Sequence, residues 1–181
     1  MPRTIQLVMD PADVCRVIRT ATKVFALVGQ LPNIEALNGR LPAKLFSGGA
    51  LCVSDREVGM TALQINLGEL NSDKLGLNYR QACDNAVVLG ERLSGDVSSW
   101  QHRDPTPGAH ERKGGYTGGA VRIGPHVYSV CGTGDEKLDE AVAMVIPFFA
   151  FGAGSKTMER IYEIQHASDN PFLRPLLDLG R

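Results

Sequence analysis

The chain has 181 residues, 43% hydrophobic and 22% charged, with a formal net charge of −1. Such values fit one globular domain that buries a core without staples, and they exclude a disordered or low-complexity chain. Mixed charge leaves no electrostatic footprint for nucleic acid or an anionic membrane, and no apolar run approaches the ~20 residues that span a bilayer.

The opening MPRTIQLVMDP lacks the apolar region and small-residue cleavage site of a secretory signal. Cys15, Cys52, Cys83 and Cys131 fall in no metal-type spacing, and each sits in an apolar-periodic segment. They read as core cysteines of a reducing compartment, so the expected location is cytoplasmic.

The first element is a helix near Asp10 to Gly29. Asp10 suits the N-cap, Pro11 the first helical position, and Asp13 the positive end of the dipole. Val14, Ile18, Ala21, Phe25 and Val28 form one apolar stripe. Leu31 to Gly49, with Pro32 and Pro42, reads as a loop. Ala50–Val53 and Val58–Leu67 read as a β-hairpin around Ser54-Asp55-Arg56-Glu57. Ser72 to Leu93 reads as a second helix, with Tyr79, Ala82, Ala86, Leu89 and Leu93 at helical spacing.

Ser94 to Gly119 is a long Gly/Pro-rich loop carrying Trp100, His102, Arg103 and His110. Loops of this length are commonly functional. A second hairpin, Ala120–Ile123 and Val127–Cys131, turns on Gly124-Pro125. Gly132-Thr133-Gly134 then opens a helix from about Asp135, which Pro147 ends or kinks. Ser155 to Ser168 reads as an amphipathic helix with Met158, Ile161 and Tyr162 on one side. The tail from Asn170 is too apolar to float free.

The order helix, hairpin, helix, hairpin, helix, helix predicts an α/β chain of the α+β kind, an antiparallel sheet with helices packed against it. Residues 1–154 are expected to form the domain. Residues 155–181 form a helical extension that packs on the domain or on a partner subunit.

The most informative stretch is Gly114 to Val145, where glycine clusters flank two strands and the second cluster opens a helix. A turn at Gly132, Thr133 and Gly134 can present backbone N–H groups and a positive dipole end to a carboxylate or phosphate. The same glycines can instead serve only a tight strand-to-helix turn. Glu136 shares a helix face with Asp139 or Glu140, which suits a weak cation site or, more simply, the acidic opening of a helix. His126 reads as exposed in its hairpin turn, and His166 as a helix-end histidine. There is no G-x-S-x-G elbow, P-loop, H-E-x-x-H or full G-x-G-x-x-G, so the residues name no nucleophile and leave enzyme status open.

Gly118-Gly119-Ala120-Val121-Arg122-Ile123, then Val127-Tyr128-Ser129-Val130-Cys131-Gly132-Thr133-Gly134, then Asp135, Glu136, Asp139 and Glu140 resemble the C-terminal half of the GlcG/HbpS-like family. That family includes the C-terminal domain of PduO-type proteins. The order of elements from about residue 10 to 150 agrees with it. Ser54-Asp55-Arg56-Glu57 stands where the family usually carries an Asp-Ala-Gly-Gly element.

The resemblance implies a profilin-like central antiparallel sheet with flanking helices, a homo-oligomer, and haem or a related tetrapyrrole as the small-molecule ligand. The corresponding activities are haem binding or sensing, an enzyme acting on haem or a small carboxylate, or an accessory subunit without catalysis. The ligand is expected between Gly132-Thr133-Gly134, the helix start at Asp135, and the loop from Trp100 to Tyr116. Trp100, His102, His110 and Tyr116 would cover an apolar ring. Gly118 and Gly119 would admit the ligand close to backbone, and Arg122, with Arg112 and Lys113, would meet propionates.

Overall fold

The computed structural model describes residues 9–31, 48–55, 60–68, 75–91, 97–102, 119–152 and 154–181. The first helix, α1 (Pro11–Val28), starts where the Asp10 carboxylate accepts from Ala12 N at 2.7 Å and Pro11 occupies the first turn. Its fully buried positions are Val17, Ala21, Val24, Phe25 and Val28, a stripe rotated slightly from the predicted one. Cys15 falls off that stripe and is exposed, which corrects its reading as a core cysteine.

Strands β1 (Gly48–Asp55) and β2 (Thr61–Gly68) pair antiparallel, as do β3 (Ala120–Ile123) and β4 (His126–Cys131). Antiparallel pairing of β1 with β4 joins the hairpins into one four-stranded sheet, in the order β2-β1-β4-β3. Part of the long predicted loop joins it. Ser98 bridges Val121, Arg122 N donates to Val97 O at 2.9 Å, and Ser99–His102 forms a 3-10 turn.

Side chains alternate across the sheet. Ala50 and Cys52, Ala120, Val127 and Cys131 face helix α2 (Leu75–Glu91) through Ala82, Ala86 and Leu89. Leu51 and Val53, Val121 and Ile123, Tyr128 and Val130 face the other way, into the main core under α1 and helix α3 (Glu136–Phe151). The result is a central antiparallel sheet with helices on both faces, an α+β fold.

Every residue from Leu138 to Pro147 in α3 is buried. From Ala141 to Pro147 the helix is apolar on every face, which demands enclosure on all sides, and α3 is enclosed by the sheet, α1, α4 (Ser155–Ser168) and α5 (Leu173–Leu179). Pro147 does not end α3, which runs on to Phe151. Residues 155–181 contribute Ile161, Ile164, Phe172, Leu173 and Leu176 to the main core. Those apolar groups are therefore not a free assembly surface. Tyr162, predicted to lie on the packed side of α4, is 65% exposed, with Ile164 in its place.

Gly119 shows why a glycine stands at the mouth of β3. Its φ is +109°, and a Cβ there would collide with the carbonyl oxygen of Val130 and lie 3.0 Å from the Asp139 Cβ. The Gly119 carbonyl in turn accepts from Val130 N at 2.9 Å. Gly119→Ala is expected to lower stability by about 2–3 kcal/mol, through left-handed strain and the backbone clash. Urea unfolding measures this, and a loss under about 0.5 kcal/mol would be incompatible with the clash.

Candidate functional site

The turn after β4 folds back on its own helix. Asp139 accepts from Gly132 N at 3.3 Å, Thr133 N at 3.0 Å and Thr133 Oγ1 at 2.8 Å. Asp135 accepts from Lys137 N at 2.8 Å and Leu138 N at 3.1 Å. The Gly132 and Thr133 donors, expected to await an anionic ligand, are thus taken by one of the protein's own carboxylates and the helix-start amides by another, which corrects that part of the sequence reading. Gly132, at φ +125°, is tight for a second reason, since a Cβ there would lie 2.8 Å from the Asn78 amide. Burial pushes the Asp139 carboxyl up to about 7, against the pull of its three donors.

Glu140 is fully buried one residue further on. Ser98 Oγ donates to it through a short hydrogen bond, and Asn170 Nδ2 donates at 3.0 Å. Asn170 also donates to Lys137 O at 2.6 Å and accepts from Phe172 N at 3.0 Å. Burial raises the Glu140 carboxyl above its ordinary value, while hydroxyls of Ser168 and Ser98 and the Asn170 amide pull it back. Asp139 and Glu140 are therefore not the exposed acids of an ordinary helix start. No group of three or more His, Cys, Asp or Glu side chains suited to a metal occurs among the described residues.

Trp100 comes to the α3 start as expected, with Lys137 Nζ 4.9 Å from its ring centroid. His102 closes the same 3-10 turn. Gly118, His110 and Tyr116, with Arg112 and Lys113, lie outside the described residues. Gly134 sits in the turn with φ +98°. Arg122 is on the opposite face of the sheet, buried, its guanidinium donating to Leu89 O in the last turn of α2. A cation there complements the helix dipole.

A cavity of about 270 Å³ opens at the other end of the sheet, near the lower limit for small-molecule pockets. The β3–β4 turn supplies Ile123, Pro125 and His126; Asp13 comes from α1, Pro147 and Phe151 from α3, and Thr157 from α4. Tyr128 forms part of its wall and meets His126 edge-to-face, with ring centroids 6.3 Å apart. The Nδ1 atom of His126 is buried with no hydrogen-bond partner. Burial lowers the imidazole's proton affinity, and Asp55 and Asp13 only partly restore it. At the mouth, Arg16 pairs with Asp13 at 3.4 Å and lies 5.6 Å from the centroid of the Phe151 ring.

No family model, curated protein or solved structure matches this chain.

His126 is therefore half-buried rather than a solvated turn residue, and sequence reasoning missed it. The signal was present. His126, Tyr128 and Val130 alternate along β4, and that parity puts His126 on the core face. What the alternation lacks is that the ends of α1 and α3 would rise around the hairpin and leave space.

Proposed function

We propose that this protein binds a compact small molecule in the cavity beside His126. The observation that carries the reading is the half-buried His126 imidazole set in the wall of this cavity among mainly apolar neighbours. A ligand hydrogen bond to the imidazole contributes about 0.5–1.5 kcal/mol on binding. The Asp13 carboxylate disfavours an anion, and Tyr128 and Phe151 offer ring surfaces. The favoured ligand is a neutral or cationic ring compound with one hydrogen-bonding group.

Haem, the ligand that the family resemblance implies, does not fit this space: a tetrapyrrole macrocycle exceeds a cavity of about 270 Å³. Turnover of a small carboxylate fits less well than binding, because among the described residues the wall supplies no cationic side chain for it and Arg16 is paired with Asp13.

Phenol is a suitable probe, one ring bearing one hydroxyl. Titration followed by protein NMR is expected to show saturable shifts around Ile123, His126 and Phe151. His126→Ala is expected to weaken phenol binding about tenfold, one hydrogen bond's worth, with the melting temperature nearly unchanged. Absence of saturable binding by phenol, indole and imidazole would reject the reading. A saturable haemin Soret shift that His126→Ala abolishes would replace it with the tetrapyrrole.

A further inference from the structure

On the α2 face of the sheet two cysteines meet. Cys52 is in the middle of β1, fully buried, and its cross-strand partner on β2 is Gln64. Cys83 is half-buried on α2 and packs against the cluster that contains Cys52. The Gln64 amide Nε2 donates to Cys83 Sγ. Cys52, cross-strand from that same Gln64, lies beside the same sulfur and interacts with it. Three elements thus converge on one sulfur atom. Around the pair the interface is built from Ala50, Ala82 and Ala86, so α2 lies close to the sheet.

The geometry points to a peroxide-reactive dithiol, with Cys83 as the attacking sulfur and Cys52 as the resolving thiol that closes a disulfide between α2 and β1. The Cys83 thiolate attacks one oxygen of a hydroperoxide. An S–O bond forms and the O–O bond breaks; the sulfur is oxidised by two electrons to the sulfenic acid, and the departing hydroxide or alkoxide takes up a proton. Cys52 then attacks the sulfenic sulfur. The S–S bond forms, the S–O bond breaks, and the hydroxide leaves as water with the Cys52 proton. With hydrogen peroxide the sum is two thiols and one peroxide giving one disulfide and two waters.

The electrostatics agree with these roles. The interaction with Cys52 holds the Cys83 thiol below its ordinary value, helped by Gln64 and opposed by burial and the Asp84 carboxylate. The same interaction, with burial, pushes Cys52 up and keeps it protonated. A thiolate-prone, reachable cysteine beside a second cysteine is the arrangement in which sulfenic acid forms and is then resolved. Cys131, also on this face, donates to Gln81 Oε1 at 3.1 Å and is occupied elsewhere.

The test uses the folded full chain and hydrogen peroxide, with alkylation and peptide mapping by mass spectrometry. Expected is a Cys52–Cys83 crosslink, with Cys83 consumed about tenfold or more faster than the exposed Cys15. In urea the two rates should converge. Cys52→Ala should let dimedone trap a sulfenic acid on Cys83, and Gln64→Leu, which leaves both cysteines in place, should slow the reaction of Cys83. The inference is overturned if Cys83 reacts no faster than Cys15 in the native protein, or if the disulfide that forms joins any other pair.

Discussion

Replacing Glu140 with alanine is expected to destabilise the protein by about 3–5 kcal/mol. The figure follows from what the carboxylate holds. Ser98 and Asn170 both donate to it from outside α3. Alanine strands these buried donors, each at about 1–3 kcal/mol, and the relief of removing a buried acid offsets part of the loss. Glu140→Gln keeps one acceptor oxygen and the volume, and should cost about 1 kcal/mol or less near neutral pH. Urea unfolding with an unchanged m-value reads the difference. Hydrogen exchange gives a second readout. The Arg122 amide, bonded to Val97 O, should lose protection in the alanine variant because its partner strand is anchored by Ser98. Similar stability for the alanine and glutamine variants would show that the carboxylate does not hold these segments together.

The second large effect is a dependence on pH. In the folded state Asp139 is pushed up to about 7 from an ordinary value of 3.8, chiefly by burial. Between those values the folded protein binds more protons than the unfolded chain. Stability is therefore complete below about pH 4 and is lost as pH rises through about 7. At 1.36 kcal/mol per unit, the loss approaches about 4 kcal/mol. Glu140, raised for the same reason, acts in the same direction. His126 acts in the opposite direction. Its depressed imidazole loses stability as pH falls below its ordinary 6.5. Asp139→Asn keeps an acceptor for Thr133 and removes the titration. The variant should gain on the wild type as pH rises from 5 to 8. Parallel stability-versus-pH curves for the two proteins would exclude Asp139 as the source.

Local signals in the sequence account for most of the fold. The Asp10-Pro11 start of α1, the Gly124-Pro125 turn and the short apolar run of β1 each announce an element whose cause is close by in the chain. The join of β1 to β4, by contrast, is a long-range pairing with no local mark. The candidate site was less legible for the same reason. Asp139 and Glu140 look like any acidic helix opening, because the spacing that favours a dipole also suits burial. Their enclosure depends on Ser98 and Asn170, which are 42 and 30 residues from Glu140 in the chain. Gly132 was singled out, but its demand is steric, set by Asn78 on another helix. The cysteine pair needed the β1 register and the placement of α2 together, and no spacing within either segment signals it.

The burial of α3 by helices from both ends of the described chain constrains how the molecule is made. During synthesis, the wholly apolar residues 141–151 leave the ribosome before Ile161, Phe172 and Leu176 have emerged to cover them. The Asn170 amide that meets Glu140 arrives 30 residues later. Until then the nascent chain carries an uncovered sticky rod and an unsatisfied internal acid, the state in which aggregation competes with folding. Final closure thus waits for the segment around Asn170, 30 residues downstream of Glu140, and carries the entropy cost of closing that loop. Chains stalled or cleaved before residue 170 are the ones a chaperone or protease would recognise.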